Sequence, residues 1–302
     1  MDHLQATDTA LIFEGGGMRA SYTSALVVAL LEAGIEFGWV GGISAGVTNA
    51  CNFLSRDPWR ARHCFTDFAD DPNFGDLRTF LRGQGLFNAR YIYQESSSPG
   101  SVLPFDWETF TRSRAQLRLG AFDAASGETV YWGREDVPTA EDLMVRAQAS
   151  STMPVIMPPV EIDGRVYVDG ALGPTGGIPI DAARADGYSK FLVVLTRERS
   201  FRKGPERGNL AVRGHFLRYP AVPKALAERP ARYNAVREEL FELERAGRAY
   251  LFVPDHMPVR NGERDVAKLS ASHEAGLAQA RRELPAIKEF LRPDPAGPVS
   301  PG

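Results

Sequence analysis

With 302 residues, 43% hydrophobic and 24% charged, the chain has ordinary globular composition and enough length to bury a sizeable core, as one large domain or one domain with an addition. The net charge of −3 makes no electrostatic case for a nucleic-acid partner, and the 35 basic residues (30 Arg, 5 Lys) are scattered rather than gathered into a phosphate-binding surface. The opening "MDHLQATDTALIF" lacks the basic-then-apolar succession of a secretion signal, and no apolar run approaches the roughly 20 residues of a membrane span, so a cytoplasmic location is expected. Cys51 and Cys64 are too few for a disulfide framework, lack metal-ligand spacing, and read as buried structural thiols.

In chain order, "TALIFEG" is a short apolar run ending in glycines, which predicts a buried strand. "MRASYTSALVVALLEAG" follows with helical spacing and a glycine stop at Gly34. "FGWVGG" predicts a second strand and "SAGVTNACNFLSR" a second helix. Two strand–glycine turn–helix units in succession predict α/β architecture with a mostly parallel sheet. Further on, "AQLRLGAFDAASGETVYWG" alternates on both sides of "ASGE", as a hairpin does, and "PVEIDGRVYVDGALG" predicts another hairpin turning at Asp163-Gly164. Between them, "TAEDLMVRAQASS" opens with Thr139 and has Asp142 three residues later, a capping-box-like helix start. "KFLVVLTRE" predicts a further buried strand. From about Arg218 the texture is helical around one apolar strand, "AYLFVP". The expected organisation is an α/β domain over residues 8–200, a mainly helical C-terminal extension over 201–292, and a disordered Pro/Gly-rich tail over 293–302.

Ser44 lies in Gly42-Ile43-Ser44-Ala45-Gly46, a G-x-S-x-G pattern between a predicted strand and a predicted helix. A serine hydroxyl is a poor nucleophile unless presented sharply and deprotonated by a neighbour. The strand-to-helix elbow does the presenting, and its doubled-back chain needs small residues at Gly42 and Gly46. Gly15, Gly16 and Gly17, followed by Arg19, leave backbone N–H groups unobstructed, which suits a phosphate cradle or an oxyanion hole. The nucleotide alternative lacks both G-x-x-x-x-G-K-[ST] and G-x-G-x-x-G. Arg19 either adds positive potential at the glycine turn or is a solvated surface charge. For a base, the five histidines (His3, His63, His215, His256 and His273) carry no supporting signals. Asp163 is explained by its turn, whereas Asp169 ends a strand ahead of a glycine, where a catalytic carboxylate would sit.

In that order, G-G-G-x-R at 15–19, G-x-S-x-G at 42–46 and Asp-Gly-Ala at 169–171 resemble the patatin-like phospholipases, as does "ASSTMPVIMPPV" ahead of the aspartate. The resemblance covers roughly residues 8 to 200 and implies a three-layer α/β/α fold. It also implies a Ser44–Asp169 dyad without histidine, and an oxyanion region at Gly15, Gly16, Gly17, Arg19 and Ala45. Ala171 stands where many members have a second glycine and many others an alanine, a slight departure. The implied activity is hydrolysis of fatty-acyl ester bonds in a phospholipid or lysophospholipid at a membrane surface, with peripheral contact and no metal or organic cofactor. Thioesterase or acyltransferase action with the same dyad, or a non-catalytic lipid-binding regulatory role, are the alternatives. The C-terminal texture is similar to an added region in some bacterial patatin-like proteins, with packing, homo-oligomerisation, a lid or a partner site as its possible uses.

Overall fold

The computed structural model describes residues 3–205 and 214–292; the tail assigned to 293–302 lies outside the described residues. Eight strands form one sheet: β1 (Leu4–Phe13), β2 (Ile35–Ile43), β3 (Gln116–Asp123), β4 (Thr129–Trp132), β5 (Val160–Ile162), β6 (Arg165–Asp169), β7 (Lys190–Val194) and β8 (Ala249–Phe252). The helices among the described residues are α1 (Ala20–Glu32), α2 (Ala45–Leu54), α3 (Pro58–His63), α4 (Leu77–Leu81), α5 (Trp107–Arg112), α6 (Ala140–Ser151), α7 (Ile180–Ala185), α8 (Ala221–Arg245) and α9 (Val266–Leu291). The sheet order is β5-β6-β3-β2-β1-β7-β8, with β4 also paired to β3. Strands β3, β2, β1, β7 and β8 run parallel, as right-handed crossovers through buried helices require, while β4, β5 and β6 are antiparallel additions at one side.

Alternating strand residues feed two cores. Leu11, Phe13, Val40, Leu119 and Leu192 pack with α1, α2, α6 and α9, while Ile12, Trp39, Phe191 and Val193 pack with α7 and α8 on the opposite face. Helix α1 is buried through Leu30 because α9 covers the side the sheet does not. Gly276 of α9 brings the two backbones together: a Cβ there would collide with the Tyr22 carbonyl oxygen. The residues after 200 therefore do not stand apart from the rest. "AYLFVP" supplies β8, paired in parallel with β7 from Phe191↔Ala249 to Val194↔Phe252, and the two long helices complete opposite layers. The first strand also reaches further than "TALIFEG" implies, starting at Leu4, because its half-exposed front pairs with β2 at Leu4↔Ile35.

One register positions the site. Strand β2 ends with Ile43 opposite Gly120 of β3, and the next β3 residue, Ala121, is opposite Asp169 of β6. Since β4 pairs with both Gly120 and Ala121 on the other side, β2 and β6 occupy the same edge of β3 and meet head to head.

Candidate active site

Ser44 sits where β2 breaks into α2, with φ 56° and ψ −130°, a strained backbone for a residue other than glycine. The sharp reversal brings Gly42 onto Gly46 and Gly46 onto the Phe13 carbonyl. A Cβ on either glycine would lie well inside van der Waals contact with backbone, which is why the serine is flanked by glycines at those two positions. The elbow is tied down by a relay absent from the sequence reading. The Ser44 N–H donates to Ser150 Oγ at 2.9 Å, and Ser150 Oγ donates to the Gly120 carbonyl at 2.5 Å. Only the end of the serine-rich helix "AQASS" hinted at it.

Asp169 is 7% exposed and accepts a 2.8 Å hydrogen bond from the Ala171 N–H. The Ser44 side chain is near enough to contribute to the electrostatics of that carboxyl. Burial raises its pKa above the ordinary carboxylate value, opposed first by the positive charge of Arg229 on α8 and then by the Ala171 N–H bond and the nearby Ser44. Asp163, by contrast, is exposed in the β5–β6 turn with φ 52°, next to Gly164 at φ 73°, the two-residue geometry its Asp-Gly pair favours. None of the five histidines lines the cavity at Ser44.

The glycine loop lies against the serine: a Cβ on Gly15 would sit 3.0 Å from Ser44 Cβ. Gly15 N–H donates to the Gly177 carbonyl at 3.1 Å and Met18 N–H to the Asn261 carbonyl at 2.9 Å. The N–H groups of Gly16, Gly17 and Ala45 have no acceptor among the described residues. Three free donors beside one serine are an arrangement that could stabilise an oxyanion. Arg19 is neither a solvated surface charge nor part of the cavity wall. It is 8% exposed, and burial, with Arg197 nearby, lowers its pKa to about 10. Its Nη1 donates to Asn261 Oδ1 at 3.3 Å.

Beyond Ser44 opens a cavity with mainly apolar walls, including Phe65, Phe68, Phe87, Leu103 and Met157. Both cysteines line it, and burial pushes the Cys51 thiol up to about 12 and raises that of Cys64, so neither is a thiolate. Arg60 lines it too, its guanidinium held by Asn52 Oδ1 at 2.5 Å, Ser97 Oγ at 2.8 Å and the Leu103 carbonyl at 3.2 Å. Most of these residues come from the segment 56–106, to which the sequence reading assigns no element, and from Asn261 in the loop after β8.

Residues 219–292 match a domain of unknown function (DUF6363). The uncharacterized protein YjjU of Escherichia coli strain K12 is 26% identical over 196 residues, covering 62% of this chain and 51% of its own length, so the chain spans about half of that relative. The crystal structure of VipD from Legionella pneumophila aligns over 93% of this chain and 67% of that one, with 13% identity and a TM-score of 0.49. Residues 11–184, more than half of the chain, match the patatin-like phospholipase profile, and the chain belongs to that family.

Proposed function

We propose that this protein hydrolyses fatty-acyl esters of phospholipids or lysophospholipids through a Ser44 acyl-enzyme, with Asp169 as the general base. The observation that carries the reading is that the strained Ser44 elbow at the end of β2 and the buried Asp169 at the end of β6 come together on adjacent rungs of β3, beside an apolar cavity. Ser44 Oγ attacks the ester carbonyl carbon as its proton passes to Asp169. The carbonyl oxygen becomes an oxyanion, accepted by the N–H groups of Gly16, Gly17 and Ala45. Collapse expels the alcohol, which takes the proton from Asp169, and leaves the acyl chain on Ser44 with its tail in the cavity. Water then attacks the acyl carbon as its proton passes to Asp169, and collapse returns that proton to Ser44 Oγ while releasing the fatty acid. A lone carboxylate is a weak base, so closeness to the serine and a pKa raised by burial both help it.

The substrate would be met at a membrane surface. No helix among the described residues is long and apolar enough to span one. Leu81 (76% exposed), Phe80 and Leu86 project from the segment whose Phe74 and Phe87 line the cavity, beside the exposed Arg78 and Arg82. Apolar tips with flanking cations suit shallow, reversible insertion into an anionic bilayer. The test is to treat the purified protein with a fluorophosphonate, map the adduct by mass spectrometry, and then incubate untreated protein with a total lipid extract. A single adduct on Ser44 and release of free fatty acid are expected; an adduct elsewhere, or fatty-acid release undiminished in Ser44→Ala, overturns the assignment.

A further inference from the structure

The glycine loop poses a physical problem. Three successive glycines have the largest conformational entropy to lose, and Gly17 holds φ 54°. The N–H groups that would bind an oxyanion must stay unbonded in the resting protein, so they cannot themselves hold the loop. The restraint has to come from the flanks, and on both flanks the region matched to the domain of unknown function supplies it.

Ahead of the loop, Glu14 is buried at 3% exposure. Tyr233 of α8 donates to its Oε1 at 2.7 Å, while the Thr196 N–H donates to its Oε2 at 2.5 Å. Tyr233 is itself backed by the fully buried Arg237, whose Nη1 donates to the tyrosine oxygen at 3.4 Å and whose Nη2 donates to the Glu198 carbonyl at 2.7 Å. Behind the loop, Asn261 accepts the Met18 N–H on its carbonyl and the Arg19 guanidinium on its Oδ1. It also fills the space beside Gly17, where a Cβ would come within 2.5 Å of the Asn261 carbonyl and Oδ1. Its Nδ2 reaches Met153 Sδ at 3.4 Å, linking the glycine loop to the connection that leads toward Asp169. The Asn261 loop is anchored in turn. Val259 and Leu269 are buried in one cluster with Phe65, Phe68 and Phe74, and Arg264 donates to the Gly75 and Ala69 carbonyls.

We infer that the C-terminal region serves as a two-sided clamp on the oxyanion-binding loop, with Asn261 and Tyr233 as positioning residues for reaction at Ser44. The clamp rests on the acyl-hydrolase reading for its purpose, but its mechanical content is independent of it. Asn261→Ala removes the Arg19 and Met153 contacts, and Tyr233→Phe removes the bond to Glu14 while keeping the ring. A loop misplaced by about 1 Å costs on the order of 100-fold in rate. Each variant is therefore expected to lower kcat, and the rate of fluorophosphonate reaction at Ser44, by roughly 10- to 100-fold. KM should stay within about threefold. Amide hydrogen exchange over residues 15–20 should quicken in both. Leu277→Ala, in the α1–α9 packing and away from the loop, should lower Tm yet leave kcat and that exchange unchanged, separating positioning from general loss of stability. Wild-type reaction rates at Ser44 in both variants would overturn the clamp while leaving the hydrolase standing. If the unmutated protein neither reacts nor hydrolyses, the hydrolase reading fails, and unchanged exchange in both variants would then overturn the clamp as well.

Discussion

The strand ends that carry Ser44 and Asp169 and the segment from 56 to 106 that walls the cavity differ in how they are held. The strand ends are fixed by ladder hydrogen bonds, with Ile43 and Asp169 on neighbouring rungs of β3. The cavity wall is built from short helices, a five-residue π-helical turn at Tyr91–Glu95, and side chains such as Arg60 that bond to carbonyls and polar groups. A ladder tolerates little displacement, whereas packed side chains on irregular backbone exchange shape for modest energies. On the proposed reading, the difference teaches that the reaction type and the choice of acyl chain would be carried by separate parts of the molecule and could be changed separately.

The most severe way to test that separation is at the strand ends. Ser44→Ala is expected to lower turnover by about a million-fold, and Asp169→Asn nearly as far, on every ester regardless of chain length. Asp163→Asn should leave activity intact. Steady-state kinetics on a short-chain and a long-chain ester decide it, and retention of even a tenth of turnover by Ser44→Ala removes it as nucleophile.

At the wall the effect should be selective. Ala147 of α6 is 3% exposed and lines the cavity. Ala147→Leu is expected to displace two or three methylenes of a bound chain; at about 0.8 kcal/mol each, kcat/KM on long-chain esters should fall roughly 10- to 60-fold. Acetyl and butyryl esters should be cut at near the wild-type rate. Equal losses on both would join the two regions that the comparison separates.

A smaller effect concerns pH. The base must be ionised, and burial holds the Asp169 carboxyl above its ordinary value, so activity is expected to fall as pH drops through that raised pKa. The acid limb of kcat/KM should therefore lie above about pH 4, the ordinary carboxylate value. A limb at or below that value would mean that burial does not govern the base.

The smallest expected effect lies far from the chemistry. His273 is buried between α9 and α1, where its Nδ1 lies 3.1 Å from Ser24 Oγ and 3.2 Å from the Ser21 carbonyl. Burial first, then the charge of Arg62, lowers its pKa to about 4. The unfolded chain protonates near 6.5 and the folded one only near 4, so the stability gained is full above 6.5 and is lost as pH falls through that window. From pH 7.5 to pH 5 the loss is about 2 kcal/mol. Urea midpoints at the two pH values should show it in the wild type and not in His273→Gln; equal slopes would assign the acid sensitivity to other groups.

Legibility in the sequence followed the same division. The βα units, both hairpins and the elements bearing Ser44, Asp169 and the glycines are readable because each combines a period with punctuation: an apolar run, then glycines, then helical spacing. Segment 56–106 has no period to read. Its Phe65, Phe68, Phe74 and Phe87 are spaced by irregular turns, and they become a wall only when brought against Val259 and Leu269 from the other end of the chain. Asn261 and Tyr233 are equally silent, since an asparagine in a loop and a tyrosine in a helix gain meaning only from partners more than 200 residues away. Arg19 is legible as special from its place after three glycines, but not its burial, which depends on Asn261.

Because β2 and β6 share one edge of β3, that strand acts as a ruler on which the proposed nucleophile and base are marked at adjacent graduations. The exposed turn at 125–128 between β3 and β4 can lengthen without moving either, provided β6 returns to the same rung and α6 keeps Ser150 against the elbow. What cannot vary is the count along the rung itself. A slip of one residue would bring Val168 opposite Ala121, turn the carboxylate to the other face of the sheet and leave Ser44 facing an isopropyl group. Insertions in that turn should therefore be tolerated where a single inserted residue inside "RVYVD" is not.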